Sequence, residues 1–449
     1  MRKLFGTDGI RGKANVEPMT SELALRLGRA AAYILHRGKS RPKILIGKDP
    51  RISSDMLEAA LSSGIVSAGA DCIRVGMLPT PGIAYLTKAL EADAGIVISA
   101  SHNPFDDNGI KFFGPDGFKL SDETEEEIEK AIQTSAEGVL HPTGIYIGRM
   151  IDIADASAQY QKFLQLSVEN MDLSGSSILL DCAHGATSHI APELFSQLGA
   201  RIITLNNKPD GTNINLDCGS MYPELIGDAI REHKADIGFC FDGDGDRIIV
   251  VDENGQVIDG DFIIMACAKH MKETGELKNN TVVITVMTNL GFHIACRETG
   301  IIVRETGVGD RYVTEEMLNC GAVLGGEQSG HIVFFDHHTS GDGMLTALQL
   351  LKILKETKQP ASSMGTTMKK FPQILLNVLV KEKPPLEDMP EVQKAIQDAI
   401  DILKDSGRVV VRYSGTEMKC RVMIEGEDDG QITELAQGIA GKIEERIGA

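Results

Sequence analysis

The chain of 449 residues has no tryptophan, and aromatic residues make up only 5% of it. Single-stranded nucleic acid is held by aromatic platforms in a positive groove. This chain has few such rings and a net charge of −19, so neither nucleic acid nor an anionic membrane surface is an expected partner. No apolar run approaches the roughly 20 residues of a membrane helix, and the first residues lack a signal-peptide pattern. The eight cysteines are scattered without C-x-x-C spacing, which gives no sign of a paired-cysteine site. A reduced cytoplasm is the expected setting.

What the chain does have is 47 glycines and 42% hydrophobic residues, enough for several cores joined by tight loops. Strand-like runs at "KILIG", "AGIVIS", "SSILLD", "DIGFCF", "TVVITV" and "AVLGG" alternate with helical stretches at Ser21 to Leu35, Pro192 to Leu198 and Gly343 to Glu356. This order predicts α/β layers. Three successive α/β domains are expected at 1–150, 155–255 and 256–370, with a smaller α+β domain at 371–449 that has a helix from Glu391 to Lys404. Ligands should gather at the carboxyl ends of the strands. The acidic run "DETEEEIE" at 122–129 reads as a solvated helix start.

Four loops carry candidate chemistry. In "GFCFDGDGDR", Asp242, Asp244 and Asp246 occupy alternate positions after a buried-strand pattern. Alternate side chains of an extended segment point to one side, so three carboxylates converge. At about 4 Å and an effective dielectric of ~20, each pair would repel by roughly 4 kcal/mol, which makes a hard divalent cation the natural occupant. An EF-hand does not fit, because Arg247 stands where that loop needs glycine. A dehalogenase-like phosphatase with Asp242 as covalent nucleophile remains a rival on the residues alone.

In "GIVISASHNPFDDNGIKFF", an apolar run ends at a polar loop containing Ser99, Ser101, His102 and Asn103, with Lys111 on the next run. Either serine suits a nucleophile, given an activating neighbour and positive charge around the phosphoryl group. In "GGEQSGHIVFF", Glu327, Gln328, Ser329 and His331 sit between glycines and suit a polyol clamp. In "RVVVRYSGTEMKCRVMIEGE", Arg412, Ser414, Gly415, Thr416, Lys419 and Arg421 suit a phosphate cradle between two strands. The N-terminal "LFGTDGIRGKAN" contributes Arg11 and Lys13 but is not a nucleotide P-loop. "GVGDRY" at 307–312 fails as a dinucleotide fingerprint at Tyr312.

With "FGTDGIRG", "SASHNP", "DGDGDR", "GEQSGH" and "RYSGTE" in this order, the chain resembles the α-D-phosphohexomutase superfamily over essentially its whole length. The resemblance implies four domains around one central cleft. It implies a phosphoserine at Ser101 rather than Ser99, and one magnesium per subunit bridging that phosphate to Asp242, Asp244 and Asp246. It further implies a two-step exchange through a bisphosphorylated sugar. Arg11, His102 and Arg247 would balance charge, and Lys111 or His331 would serve as general base or acid; a lysine base needs a depressed pKa. Gly309, Glu327, Gln328 and Ser329 would hold the sugar, and Arg412, Ser414, Gly415, Thr416 and Arg421 the phosphate that is not reacting.

"KLFGTDGIRG", "GEQSGH" and "TGVGDRY" look like the branch acting on glucosamine phosphates, with glucosamine 1,6-bisphosphate as intermediate and activator and UDP-N-acetylglucosamine supply as the purpose. The alternatives are a mannose- or glucose-phosphate mutase, a metal-dependent phosphosugar phosphatase, or a non-catalytic phosphosugar sensor. Family members are often dimers, so a homodimer is an expected state, and Ser101 needs priming by a kinase or by autophosphorylation. Tyr413 and Met418 stand where the phosphate loop of relatives more often has proline, which leaves its rigidity open.

Overall fold

The computed structural model describes residues 4–6, 8–35, 41–133, 142–414 and 418–449. Three α/β units with mixed sheets are followed by a small antiparallel one. In the first sheet Ala94–Ile98, Lys43–Lys48, Asp71–Met77 and Met150–Asp152 run parallel, and Asp107–Phe113 and Ile10–Lys13 continue it antiparallel. In the second, Ser177–Asp181 lies between Arg201–Leu205 and Ile237–Phe241, all parallel, and Ile248–Asp252 and Val257–Ile258 close the edge. The third joins Thr281–Thr285, Ile302–Thr306 and Leu324–Gly326 in parallel, with Ile332–Phe334 antiparallel. The fourth has Lys419–Glu425 between Gln373–Leu379 and Arg408–Tyr413.

The central strands Ser177–Asp181, Ile237–Phe241 and Thr281–Thr285 are buried at every residue. That is why they read as continuous rather than alternating apolar runs. Two unit edges differ from the expected positions. Met150–Asp152 pairs with Asp71–Met77, so the first sheet runs past residue 150, and Val257–Ile258 belongs to the second sheet rather than the third unit.

One apolar core runs through the first three units, from Leu45 and Phe113 through Phe195 and Phe239 to Ile284 and Phe334. The C-terminal unit has a core of its own around Val392, Val422, Ile424 and Ile439. At the middle of the molecule, the loop after Ile237–Phe241 is stapled to both neighbours by backbone hydrogen bonds. The Thr80 N–H donates to Asp244 O at 2.9 Å, the Gly343 N–H to Gly245 O at 3.0 Å, and the Ile248 N–H to Gly330 O at 3.0 Å. Among the described residues no helix is long and apolar enough to cross a membrane.

The acidic run does start the helix Asp122–Gln133, but it is not simply solvated. Glu125 and Glu129 share the inward face, an i, i+4 pair. Glu125 is buried against Arg311 at 2.8 Å, and Glu129 accepts the Leu4 N–H at 3.2 Å.

Candidate active site

Ser101 follows the buried strand Ala94–Ile98 and is itself buried, with a left-handed backbone at φ 53°. For a residue other than glycine, that conformation costs about 1–2 kcal/mol, so the surroundings must hold it. The Ser101 N–H donates to Ser99 Oγ at 2.9 Å, and its carbonyl accepts from Arg51 Nη2 and Asn215 Nδ2, each at 2.9 Å. Asp49 in turn accepts from Ser99 Oγ at 2.6 Å and from Arg51 Nε at 2.8 Å. Ser99 is therefore a brace, and Ser101 is the serine presented to the cleft.

The Ser101 hydroxyl donates to Asp242 Oδ2 at 2.6 Å and lies 3.3 Å from His102 Nδ1. Gly243 is required here, because a Cβ on it would stand 2.6 Å from Ser101 O. Asp242, Asp244 and Asp246 are all buried, and each offers an oxygen within 4.8 Å of the others. Burial, reinforced by Asp246 and Asp244, pushes the Asp242 carboxyl well above the usual carboxylate range. Burial acts the same way on Asp246, but Lys111 and His331 outweigh it and pull its pKa down. Asp244 Oδ1 and Asp246 Oδ1 are buried without a hydrogen-bond partner. Orphaned acceptors on three converging hard oxygen donors fit a divalent metal.

Cations ring this centre. Lys111 Nζ lies 2.9 Å from Asp244, 3.1 Å from Asp8 and 3.6 Å from Asp246. The depressed pKa that a lysine base would need is not found here. Burial lowers it, but Asp244, Asp8 and Asp246 together push it above the ordinary value, so Lys111 keeps its proton. His331, 3.7 Å from both Asp246 and Asp310, is likewise raised by those carboxylates and Glu327 against the effect of burial. His102 goes the other way: burial, with Arg247 and Arg11 adding to it, pushes it down to about 3, and its imidazole is neutral. Arg11 pairs with Asp8 and reaches the Ala100 carbonyl, and the Arg247 N–H holds Asp242 Oδ1 at 3.1 Å.

A cleft of about 350 Å³ opens over Ser101 and is lined also by Arg11, His102, Asp246 and Arg247 on one side and by Gly309, Glu327 and His331 on the other. Glu327 begins the turn of the hairpin formed by Leu324–Gly326 and Ile332–Phe334. Its Oε1 accepts the Gly309 N–H at 3.0 Å, joining two predicted sugar-binding loops. Gln328 and Ser329 share the turn but do not line the cleft. Gln328 is half-buried, with its carbonyl accepting the Gly260 N–H at 3.0 Å, and Ser329 is exposed.

In the C-terminal unit Arg412 and Arg421 are direct cross-strand partners. Burial and the Arg421 charge lower the pKa of Arg412, and the Glu327 charge opposes this. The Arg412 Nε is buried without a hydrogen-bond partner. Like charges directly opposite one another are unfavourable unless an anion joins them. Ser414 is held by the Lys383 Nζ, which donates to its carbonyl at 2.6 Å. The Tyr413 hydroxyl donates to Pro384 O at 2.7 Å, a tether where proline would otherwise stiffen the loop, and Met418 is exposed. Gly415 and Thr416 lie outside the described residues.

A second cavity of about 350 Å³, lined in part by Met271, Val323, Phe334 and His337, contains neither the carboxylate triad nor any arginine.

Four family models match in order: phosphoglucomutase/phosphomannomutase alpha/beta/alpha domains I, II and III at residues 2–138, 158–255 and 259–371, and the C-terminal domain of the same family at 375–442. The chain is 52% identical over 449 residues to the phosphoglucosamine mutase of Citrifermentans bemidjiense, covering 100% of this chain and 99% of that protein. It is 50% identical over 448 residues to that of Geobacillus kaustophilus, covering 100% of both. The chain belongs to the phosphoglucosamine mutase family. In fold, this family member is similar to a phosphoglucomutase/phosphomannomutase family protein of Burkholderia thailandensis, with TM-score 0.82, 24% identity and 99% of each chain covered. It is also similar to the N-acetylphosphoglucosamine mutase of Aspergillus fumigatus, solved in complex with GlcNAc-6P and magnesium, with TM-score 0.68, 17% identity and coverage of 99% and 96%.

Several residues of this phosphoglucosamine mutase family site escaped the sequence reading. Asp8, Lys119 and Asp310 form a bridge across the cleft, with Lys119 Nζ bonded to both carboxylates. Asp8 and Asp310 were visible inside "FGTDGIRG" and "TGVGDRY", whereas nothing in its neighbourhood marks Lys119. Thr80, whose Oγ1 donates to Asp244 Oδ2 at 2.6 Å, and the Asp49–Arg51 brace carried no local motif either.

Proposed function

We propose that this chain interconverts glucosamine 6-phosphate and glucosamine 1-phosphate through a phosphoserine at Ser101, in the cytoplasm, as part of UDP-N-acetylglucosamine supply. The observation that carries the reading is the Ser101 hydroxyl seated 2.6 Å from Asp242 at the foot of a cleft that Glu327 faces. Asp242, Asp244, Asp246 and a phosphoserine oxygen would hold magnesium, which when bound neutralises charge on the phosphoryl oxygens.

In the forward step a sugar hydroxyl attacks phosphorus, the bond from phosphorus to Ser101 Oγ breaks, that oxygen takes up a proton from a neighbouring donor, and the proton released by the attacking hydroxyl restores that donor. The product is the 1,6-bisphosphate, which turns end for end. Ser101 Oγ then attacks the other phosphoryl group, gives up its proton and releases the isomeric monophosphate. Lys111 and His331 enter this cycle protonated, as cations beside the moving group and as proton donors to the departing oxygen. Glu327 spends Oε1 on Gly309 and offers Oε2 to a sugar hydroxyl. Arg412, Ser414, Gly415, Thr416 and Arg421 anchor the phosphate at rest. Priming of Ser101 by a kinase or by autophosphorylation, and a homodimeric state, belong to the same reading.

The phosphatase alternative finds less support, since both Asp242 oxygens are engaged, by the Ser101 hydroxyl and the Arg247 N–H. The deciding experiment compares kcat/KM for the 6-phosphates of glucosamine, mannose and glucose, using Ser101-phosphorylated protein with magnesium and a trace of bisphosphate. Glucosamine should lead by at least about tenfold, 1.4 kcal/mol of discrimination. A lead for mannose or glucose would keep the mechanism and overturn the substrate.

A further inference from the structure

The first three units are fixed to one another by a continuous apolar core, but the C-terminal unit is not. Its attachment is polar and centres on Glu425, whose side chain is fully buried. One carboxylate oxygen accepts from Asn289 Nδ2 and Gln373 Nε2, each at 3.2 Å, and the other from the Leu290 N–H at 3.1 Å and Arg408 Nε at 3.0 Å. Asn289 and Leu290 belong to the third unit, where they start the helix Leu290–Thr299. Glu425 thus places its charge from the C-terminal unit onto the N-terminus of a helix in its neighbour, where the helix dipole favours an anion. Arg408 completes the joint by donating through Nη2 to Thr288 O at 2.5 Å, and Asn289 exchanges hydrogen bonds with the Phe371 backbone at 3.0 and 2.9 Å.

The sheet register ties this joint to the phosphate cradle. Val422 and Ile424 face the C-terminal core, so Arg421, Met423 and Glu425 point to the opposite face. Across the sheet, Gln373, Glu425 and Arg408 form one row, Leu375, Met423 and Val410 the next, and Asn377, Arg421 and Arg412 the third. The joint and the cradle are therefore two ends of one rigid face, four residues or about 13 Å apart along the strand.

We infer that Glu425 is a positioning residue: it pins the C-terminal sheet to the third unit so that Arg412 and Arg421 stand over the cleft where the resting phosphate lies. This rests on the reading proposed above. A pin acting through the cradle governs how tightly the phosphate end is held and leaves the chemistry at Ser101 alone.

The test is steady-state kinetics with glucosamine 6-phosphate on the full chain carrying E425Q or, as the gentler change, R408K, with thermal unfolding as the folding control. The expected result is a KM raised by about tenfold with kcat within about threefold. In an R412K background, E425Q should raise KM by no more than about twofold further, because the cradle it serves is already impaired. An unchanged KM in both folded variants, or the full tenfold effect repeated on top of R412K, overturns the pin. If the unsubstituted protein turned over no hexosamine phosphate, the functional reading would fall and the pin would be read from inorganic phosphate alone. Calorimetric titration of S101A protein without divalent metal should then show phosphate binding weakened about tenfold by E425Q, and equal binding would reject the pin.

Discussion

Ser101 combines a left-handed backbone, a buried side chain and a carboxylate partner, and each of its supports is a nameable atom. Removing the hydroxyl in S101A should lower turnover by at least about a thousandfold while glucosamine 6-phosphate still binds by calorimetry, since the proposed nucleophile is lost and the proposed binding groups remain. Ser99→Ala tests the brace separately. Without the Oγ that accepts the Ser101 N–H and donates to Asp49, kcat should fall about tenfold with little change in KM. Lys111→Met should cost at least about a hundredfold in kcat/KM; full turnover in that variant would remove Lys111 from the mechanism. Chelation should abolish activity and magnesium restore it, because the buried oxygens Asp244 Oδ1 and Asp246 Oδ1 have no hydrogen-bond partner and are hard donors suited to the metal.

Among the elements, the strands and their following loops were legible in the sequence because buried parallel strands leave uninterrupted apolar runs and site loops are rich in glycine and polar residues. The "GGEQSGHIVFF" segment, read in sequence as a polyol clamp, folds as a hairpin whose turn carries Glu327 to the Gly309 N–H. What stayed hidden was long-range. Lys119 meets Asp8 and Asp310 from positions 111 and 191 residues away, and no local spacing records such a meeting. The charge state of Lys111 was hidden for the same reason, as its carboxylate partners come from two other loops.

The loop after Ile332–Phe334 offers a pH test of one such meeting. His338 is buried, with Nδ1 accepting the Thr339 N–H at 2.7 Å and Nε2 2.8 Å from Pro81 O on the first unit. An Nδ1 that accepts requires the neutral ring with its proton on Nε2. Burial, with Lys88 adding to it and the Pro81 contact opposing, holds its pKa down at about 4 against 6.5 for a free imidazole. The unfolded chain therefore binds this proton more tightly. The stability it confers is present above pH 6.5 and is lost as pH falls through about 4, up to roughly 3 kcal/mol. Denaturant midpoints should decline over that window in the unsubstituted protein and decline less in H338Q. Parallel curves would show that another group carries the acid sensitivity.

At the scale of the whole molecule, the division of the cores predicts how the protein unfolds. Units one to three share buried side chains from Leu45 to Phe334 and should melt as one cooperative block. The C-terminal unit, with Val392, Val422, Ile424 and Ile439 packed among themselves and a polar joint at Glu425, should melt separately. At about 0.7 kcal/mol per residue its transition should carry roughly 50 kcal/mol, a minor fraction of the total enthalpy. Scanning calorimetry of the full chain should resolve this smaller event. Glucosamine 6-phosphate should raise both midpoints, because a ligand spanning Glu327 and Arg412 binds only when the two blocks are folded and docked. A single transition at the same midpoint in the unsubstituted and E425Q proteins would mean that the C-terminal unit is held by more than its polar joint. Two transitions, with only the larger moved by ligand, would place the phosphate away from the arginine pair.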